Sequence, residues 1–221
     1  MDLMFAIPDL GVRTWKRTVK AALKLKPHHV SFYSLEIVEG TEFYRRLKDC
    51  EFKETLPHID RMMYHDAIDI MENKGYEHYE ISNFCLPGLY SRHNSSYWTG
   101  KKYLGCGPSA HSFNGTSRQW NVASLDQYIQ SIQQGELDHE IEELDIYTRY
   151  NDFVITTIRT HWGMSLSHLR STYGENLYQY CLRMAKPHLE QGVLEIKEDT
   201  LKLTKEGIFI SDGIMSDLLF V

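Results

Sequence analysis

A strand, a helix and a second strand crowd into the first 35 residues, and that unit limits what the chain can become. Asp2-Leu3-Met4-Phe5-Ala6-Ile7-Pro8 is a short apolar run ending at a proline, as a buried strand and its exit loop do. Val12, Trp15, Val19, Ala22 and Leu23 follow at helical spacing, and Pro27 stops that helix. Val30 to Leu35 is extended again, which completes a right-handed βαβ unit of a parallel sheet. Thr41 to Lys48 reads as a short helix. Pro57 opens a longer one, striped by Ile59, Met62, Met63, Ile70 and Met71 and closed by Gly75. Tyr76 to Ile81 is a third extended segment. A parallel sheet needs several strands with both faces covered. Three strands, the first starting at residue 2, are too few. The spacing therefore predicts the C-terminal part of a βα barrel whose N-terminal half lies outside this sequence.

Residues 82–139 differ in character. They are rich in Ser, Asn, Gly, Pro, Tyr and Trp, show no long helical period and read as an irregular connecting segment. Only Leu125 to Ile132 restores a short helix, and an acidic linker is expected from Gly135. Residues 140–221 are compact again: helices over Tyr147–His161, Leu166–Tyr173 and Leu177–Gln191, a hairpin of Val193–Ile196 with Leu201–Thr204, and a closing helix from about Lys205 to Leu219. The fold class is thus α/β, α+β overall: barrel strands and helices over 1–81, the connecting segment, and a mainly helical, winged-helix-like domain over 140–221.

Charge and cysteine usage narrow the function. Residues 140–221 hold 8 Lys and Arg against 13 Asp and Glu, within a chain of net charge −6, which is opposite to the basic face a DNA-binding winged helix needs. No nucleic-acid partner is expected; a domain-covering or partner-docking role fits that charge better. No window approaches ~18 apolar residues, so no membrane span is expected, only peripheral contact at most, and the first residues lack the basic region of a secretory signal. Cys50, Cys85, Cys106 and Cys181 are 35, 21 and 75 residues apart, neither a disulfide framework nor a cluster motif. They read as reduced thiols of a cytoplasmic protein.

The chemistry concentrates in Arg92-His93-Asn94-Ser95-Ser96-Tyr97-Trp98 and Leu104-Gly105-Cys106-Gly107-Pro108-Ser109-Ala110-His111-Ser112. An imidazole, an amide and two large rings within six residues suit a flat aromatic ligand, with the imidazole free for iron or a carboxylate. In an irregular segment these side chains could converge on one side of such a ligand. Gly105-x-Gly107-x-x-Ala110 matches a dinucleotide fingerprint in letters only, because Pro108 interrupts and a turn is expected at His111–Gly115 where a helix should begin. The other histidines have no third ligand at metal spacing. No G-x-S-x-G, H-E-x-x-H or phosphate-binding loop occurs.

Five segments taken in order resemble one family: Asp2–Pro8, the Glu39-Gly40-Thr41 turn, Tyr76–Phe84, His93-Asn94-x-x-Tyr97-Trp98 and Leu104–Ser112. They are similar to the radical S-adenosylmethionine proteins related to oxygen-independent coproporphyrinogen III oxidase (HemN-like), and the His-Asn-x-x-Tyr-Trp segment to the heme-chaperone, HemW-type branch. The resemblance implies a partial (βα)6 barrel with a helical C-terminal domain, and a [4Fe-4S] cluster and S-adenosylmethionine in the full-length protein. The cluster's C-x-x-x-C-x-x-C motif is absent here, so the fragment is expected to do no radical chemistry. It further implies Asp2, at the carboxyl rim of its strand, and Met4 as S-adenosylmethionine contacts. His93 would bind heme through its iron, with Asn94, Tyr97 and Trp98 in support and His111 a lesser candidate. Heme or another porphyrin and a heme-acceptor protein would be the partners. The alternative activity is oxidative decarboxylation of coproporphyrinogen III in porphyrin biosynthesis.

Overall fold

The computed structural model describes residues 1–221, which divide into two compact units, Met1–Ser91 and Arg92–Val221. The sequence suggests breaks near residues 81 and 139; the division into compact units falls after Ser91.

In the first unit β1 (Asp2–Phe5) lies parallel to β2 (His29–Ser34) across α1 (Val12–Leu23), the expected βαβ unit. Phe5 and Phe32 point at α1, where fully buried Trp15 sits with ring centroids 5.5 Å from each, and Trp15 Nε1 donates to the Met63 carbonyl at 2.7 Å. An indole buried with its N–H satisfied contributes its whole apolar area without a desolvation cost. After α2 (Glu42–Lys48), capped by the Thr41 hydroxyl, comes α3 (Pro57–Glu72). Its inward face is Met63, Tyr64, Ala67, Ile68 and Met71. Met62, expected on that stripe, is instead 48% exposed. The helix rotated to put Tyr64 inside, where its ring stacks at 6.0 Å on Phe5 and its hydroxyl donates to the Ile81 carbonyl.

The third strand, β3 (Glu77–Glu80), forms as expected, but it does not neighbour β2. A hairpin partner, β4 (Asn83–Cys85), lies between them, antiparallel to both, so the sheet order is β1-β2-β4-β3. Three residues are too short for a period to show, and the β3–β4 turn carries no Gly or Pro to mark it.

The second unit opens with α4 (Arg92–Trp98), followed by an antiparallel sheet β5 (His111–Phe113), β6 (Ser117–Asn121) and, beyond α5 (Leu125–Gln133), β7 (His139–Glu143). Two expectations are corrected here. His111–Phe113 is a strand rather than a turn, the turn falling at Asn114–Gly115, and the acidic stretch after Gly135 pairs with β6. Strand β7 is exposed along its whole length, and its charges protect a sheet edge, which is why it read as linker.

The remainder keeps the expected order: α6 (Ile146–Ile158), α7 (Leu166–Tyr173), α8 (Glu175–Glu190), then the hairpin β9 (Leu194–Lys197) and β10 (Thr200–Leu203). A two-residue strand, β8 (Met164–Ser165), joins the hairpin through β10. The closing helix is two pieces, α9 (Lys205–Ile208) and α10 (Ser211–Leu218). Tyr150, Val154, Ile158, Leu169, Cys181 and Leu218 form this core, and the Tyr150 hydroxyl donates to the Leu218 carbonyl at 2.9 Å. No helix is long and apolar enough to cross a membrane.

Candidate functional site

The His-Asn-x-x-Tyr-Trp segment is helical, which corrects the irregular conformation expected of it. Seven residues rich in Ser, Asn and aromatics are poor helix formers. The turn holds through local bonds: Ser96 Oγ donates to the His93 carbonyl at 2.6 Å, and Thr99 Oγ1 to that of Ser95 at 2.7 Å. Gly100, at φ +62°, closes it, with Gly100 N–H donating to the Tyr97 carbonyl and Lys101 N–H to that of Ser96. This is the usual glycine-terminated helix end. Thr99-Gly100 was the legible signal for it.

Helical geometry sorts the motif. His93 and Tyr97, four residues apart, share a face. Their rings meet edge to face with centroids 5.1 Å apart, and the Tyr97 hydroxyl lies 3.3 Å from His93 Nε2. The imidazole is exposed. Tyr97 continues onto Tyr103 (4.9 Å), and Tyr103 onto Phe113 of β5 (6.0 Å), so an aromatic ladder ties α4 to the sheet. Trp98 points elsewhere: the Arg159 guanidinium lies 4.2 Å over its ring, and its Nε1 is closed to solvent with no acceptor. Asn94 is half-buried. The structure thus brings together His93 and Tyr97 and separates Trp98 from them.

His111 belongs to a different place. It opens β5, its ring lies 5.9 Å from Trp120, and it lines a cleft of about 310 Å³ with Asn121 and His139. The glycines before it pack backbone on backbone. A Cβ at Gly105 would stand 2.2 Å from the His111 carbonyl oxygen, and Asn121 Nδ2 donates to the Gly107 carbonyl at 2.9 Å. The Gly-x-Gly-x-x-Ala letters therefore encode a close loop crossing, not a phosphate cradle.

In the first unit, Asp2 opens β1 at its amino end, whereas the carboxyl rim was expected; the exit loop starts at Ala6, φ +55°. Asp2 and Met4 share one face of the sheet and sit in register with Ser31 and Tyr33. Both are exposed, and the Asp2 carboxylate suits a hydroxyl or ammonium donor. On the same face Ser31 Oγ donates to Asn83 Oδ1 at 2.8 Å, and Asn83 Nδ2 donates to Glu80, a carboxylate only 2% exposed that also takes the Ser82 N–H. Glu80 and Asn83 carried no assigned role in the sequence, although both lie in the Tyr76–Phe84 segment.

The cysteines do not converge. No group of three or more His, Cys, Asp or Glu side chains could hold a metal ion, so the residues present do not fit an iron–sulfur cluster. Cys50 and Cys106 are exposed; Cys85 and Cys181 are buried, and burial pushes both thiols up to about 11. A disulfide-exchange reagent at pH 8 should label Cys50 and Cys106 at once, and Cys85 and Cys181 only on unfolding. Four equally fast thiols would contradict the burial.

With this geometry in place, the likeness to known proteins is seen in both sequence and fold. Residues 147–210 match the family described as the HemN C-terminal domain. The fold is that of coproporphyrinogen III oxidase (HemN) from Escherichia coli, described as a radical SAM enzyme: TM-score 0.78 over 98% of this chain and 54% of that one, at 19% identity. More particularly, the chain is similar along 99% of its length to proteins named heme chaperone HemW. Identity is 28% to the Bacillus subtilis protein, of which it covers 58%, and 30% to that of Mycobacterium tuberculosis, of which it covers 54%. Radical S-adenosyl methionine domain-containing protein 1, mitochondrial, of Danio rerio is 27% identical, with 52% of it covered. The chain spans about half the length of these relatives.

Proposed function

We propose that this chain is the heme-holding portion of a radical S-adenosylmethionine heme chaperone, which binds heme as cargo for an acceptor protein. The observation that carries the reading is the exposed His93 imidazole on α4, backed by Tyr97, in a chain aligned almost end to end with proteins named heme chaperone. A neutral imidazole is a common axial ligand of heme iron, and ring faces beside it favour a macrocycle. His93 is the ligand in this reading, with Tyr97 its neighbour. Asn94 and Trp98 support the helix that presents them. S-adenosylmethionine and the cluster belong to the full-length protein, where Asp2 and Met4 would meet S-adenosylmethionine across the strand face and the cluster would be held by residues outside this chain.

Hemin added to this chain, and to the full-length protein, should give a ligated Soret band. His93→Ala should abolish it while leaving the far-UV spectrum unchanged, because an exposed side chain contributes within about 0.5 kcal/mol. Unchanged hemin affinity and spectrum in His93→Ala would defeat the assignment, and loss of the band in His111→Ala instead would move the ligand to β5. The HemN C-terminal match supports the oxidase as the second reading. Coproporphyrinogen turnover by the full-length protein would favour it.

A further inference from the structure

The second unit holds a larger cavity than the cleft beside His111, about 510 Å³, bounded by the end of α4 and the following loop, by β5 and β6, and by α6 and α7. That size buries a drug-sized molecule. Its walls are aromatic: Trp98, Tyr103, Phe113, Phe153 and Tyr173 line it, with Tyr97 at its α4 side.

The charge of its lining is the informative feature. Four charged side chains face it: Lys101, Arg118, Arg149 and Asp152. Asp152 is taken by Arg118 at 2.5 Å, and Arg118 reaches Glu142 as well, at 3.8 Å. Arg149 and Lys101 form no salt bridge, although the Asp145 carboxylate is near enough to feel the Arg149 charge, and Arg149 Nε, closed to solvent, has no acceptor. The lining is therefore net positive in a chain of net −6, whose residues 140–221 are themselves acidic. A half-buried guanidinium N–H facing a cavity favours a hydrogen-bond acceptor there, and a planar oxyanion is its best partner.

We propose that this cavity binds a planar aromatic ligand bearing carboxylate, with the rings of Trp98, Tyr103, Phe113 and Phe153 against its faces and Arg149 and Lys101 at its carboxylates. The preference for carboxylate over other oxyanions rests on the heme reading, since a tetrapyrrole carries propionates; the site itself stands on the rings and the unpaired cations.

The test uses metal-free protoporphyrin IX, which has no iron for His93 to ligate, and its dimethyl ester, which has no carboxylate. Quenching of tryptophan fluorescence in the intact chain reads both. Protoporphyrin should bind at least about ten-fold tighter than the ester, and Arg149→Met should remove about that factor for the acid alone, as expected for loss of a charge-assisted contact. Lys101→Met, at an exposed side chain that cannot unfold the domain, should weaken the acid several-fold without affecting the ester. Equal affinity for acid and ester, or acid binding indifferent to both substitutions, would overturn the proposal. The two readings fail separately: Arg149-dependent porphyrin binding together with a hemin spectrum indifferent to His93 would remove the iron ligand and leave the cavity.

Discussion

Trp15→Ala should unfold the first unit under conditions where the parent chain is stable. The indole is fully buried between Phe5 and Phe32, and its N–H is bonded to the α3 backbone at Met63. Truncating a buried tryptophan typically costs about 3–5 kcal/mol, partly from lost burial and partly from the cavity left behind. Whole domains are stable by only about 5–15 kcal/mol, so this loss takes a large share of the margin. Trp15→Phe keeps a ring against both neighbours and loses only the N–H and part of the area, so it should cost much less. Urea unfolding followed by far-UV circular dichroism separates the two. A Trp15→Ala shift below about 1 kcal/mol would mean that β1 and α1 are not held together as described.

Gly105→Ala is the second large effect. The added methyl would meet the His111 carbonyl oxygen at 2.2 Å, its carbon at 2.7 Å and its nitrogen at 2.8 Å, all backbone. His111 cannot retreat, because it is in register with Trp120 across the β5–β6 ladder. The loop must move instead, breaking the bond from Gly105 N–H to Ser112 Oγ and the Asn121 contact to Gly107. Overpacking of this kind costs about 1–3 kcal/mol, and rigid backbone on the far side puts it at the upper end. Gly107 has open space around its Cα but a φ of +109°, so Gly107→Ala should cost about 1 kcal/mol through backbone strain alone. Gly11, with neither crowding nor positive φ, should tolerate alanine almost without change. Thermal unfolding of the three variants should rank them in that order. A Gly105→Ala protein as stable as Gly11→Ala would show that the loop crossing is not close.

The same motif shows how far letters carry. Gly105-x-Gly107 reads from sequence as special backbone, and it is. Which backbone it serves depends on β5 and β6 pairing, a non-local fact. The His93 segment is similar: its residue types would suit a flat ligand, but the four-residue spacing that joins His93 to Tyr97 and sends Trp98 away appears only once the segment is known to be a helix.

What the sequence by itself determined is everything local with a long enough period. The βαβ unit, the helices of α3, α6, α7 and α8, and the β9–β10 hairpin follow from apolar spacing, Pro57 and the Gly stops, because each forms from contacts a few residues apart. Only the tertiary structure decided the rest. Strands β4, β5 and β8, of two or three residues, are too short to carry a period, and β7 is exposed and acidic along its length; all four exist because a partner strand supplies their hydrogen bonds. Tyr64 displaces Met62 from the α3 face because Phe5 and the Ile81 carbonyl are there to receive it. Arg149 and Lys101 become a site only when α6 and the α4 loop are folded against the same cavity. Charge and aromatic character are properties of residues; which of them are left unpaired is a property of the packing.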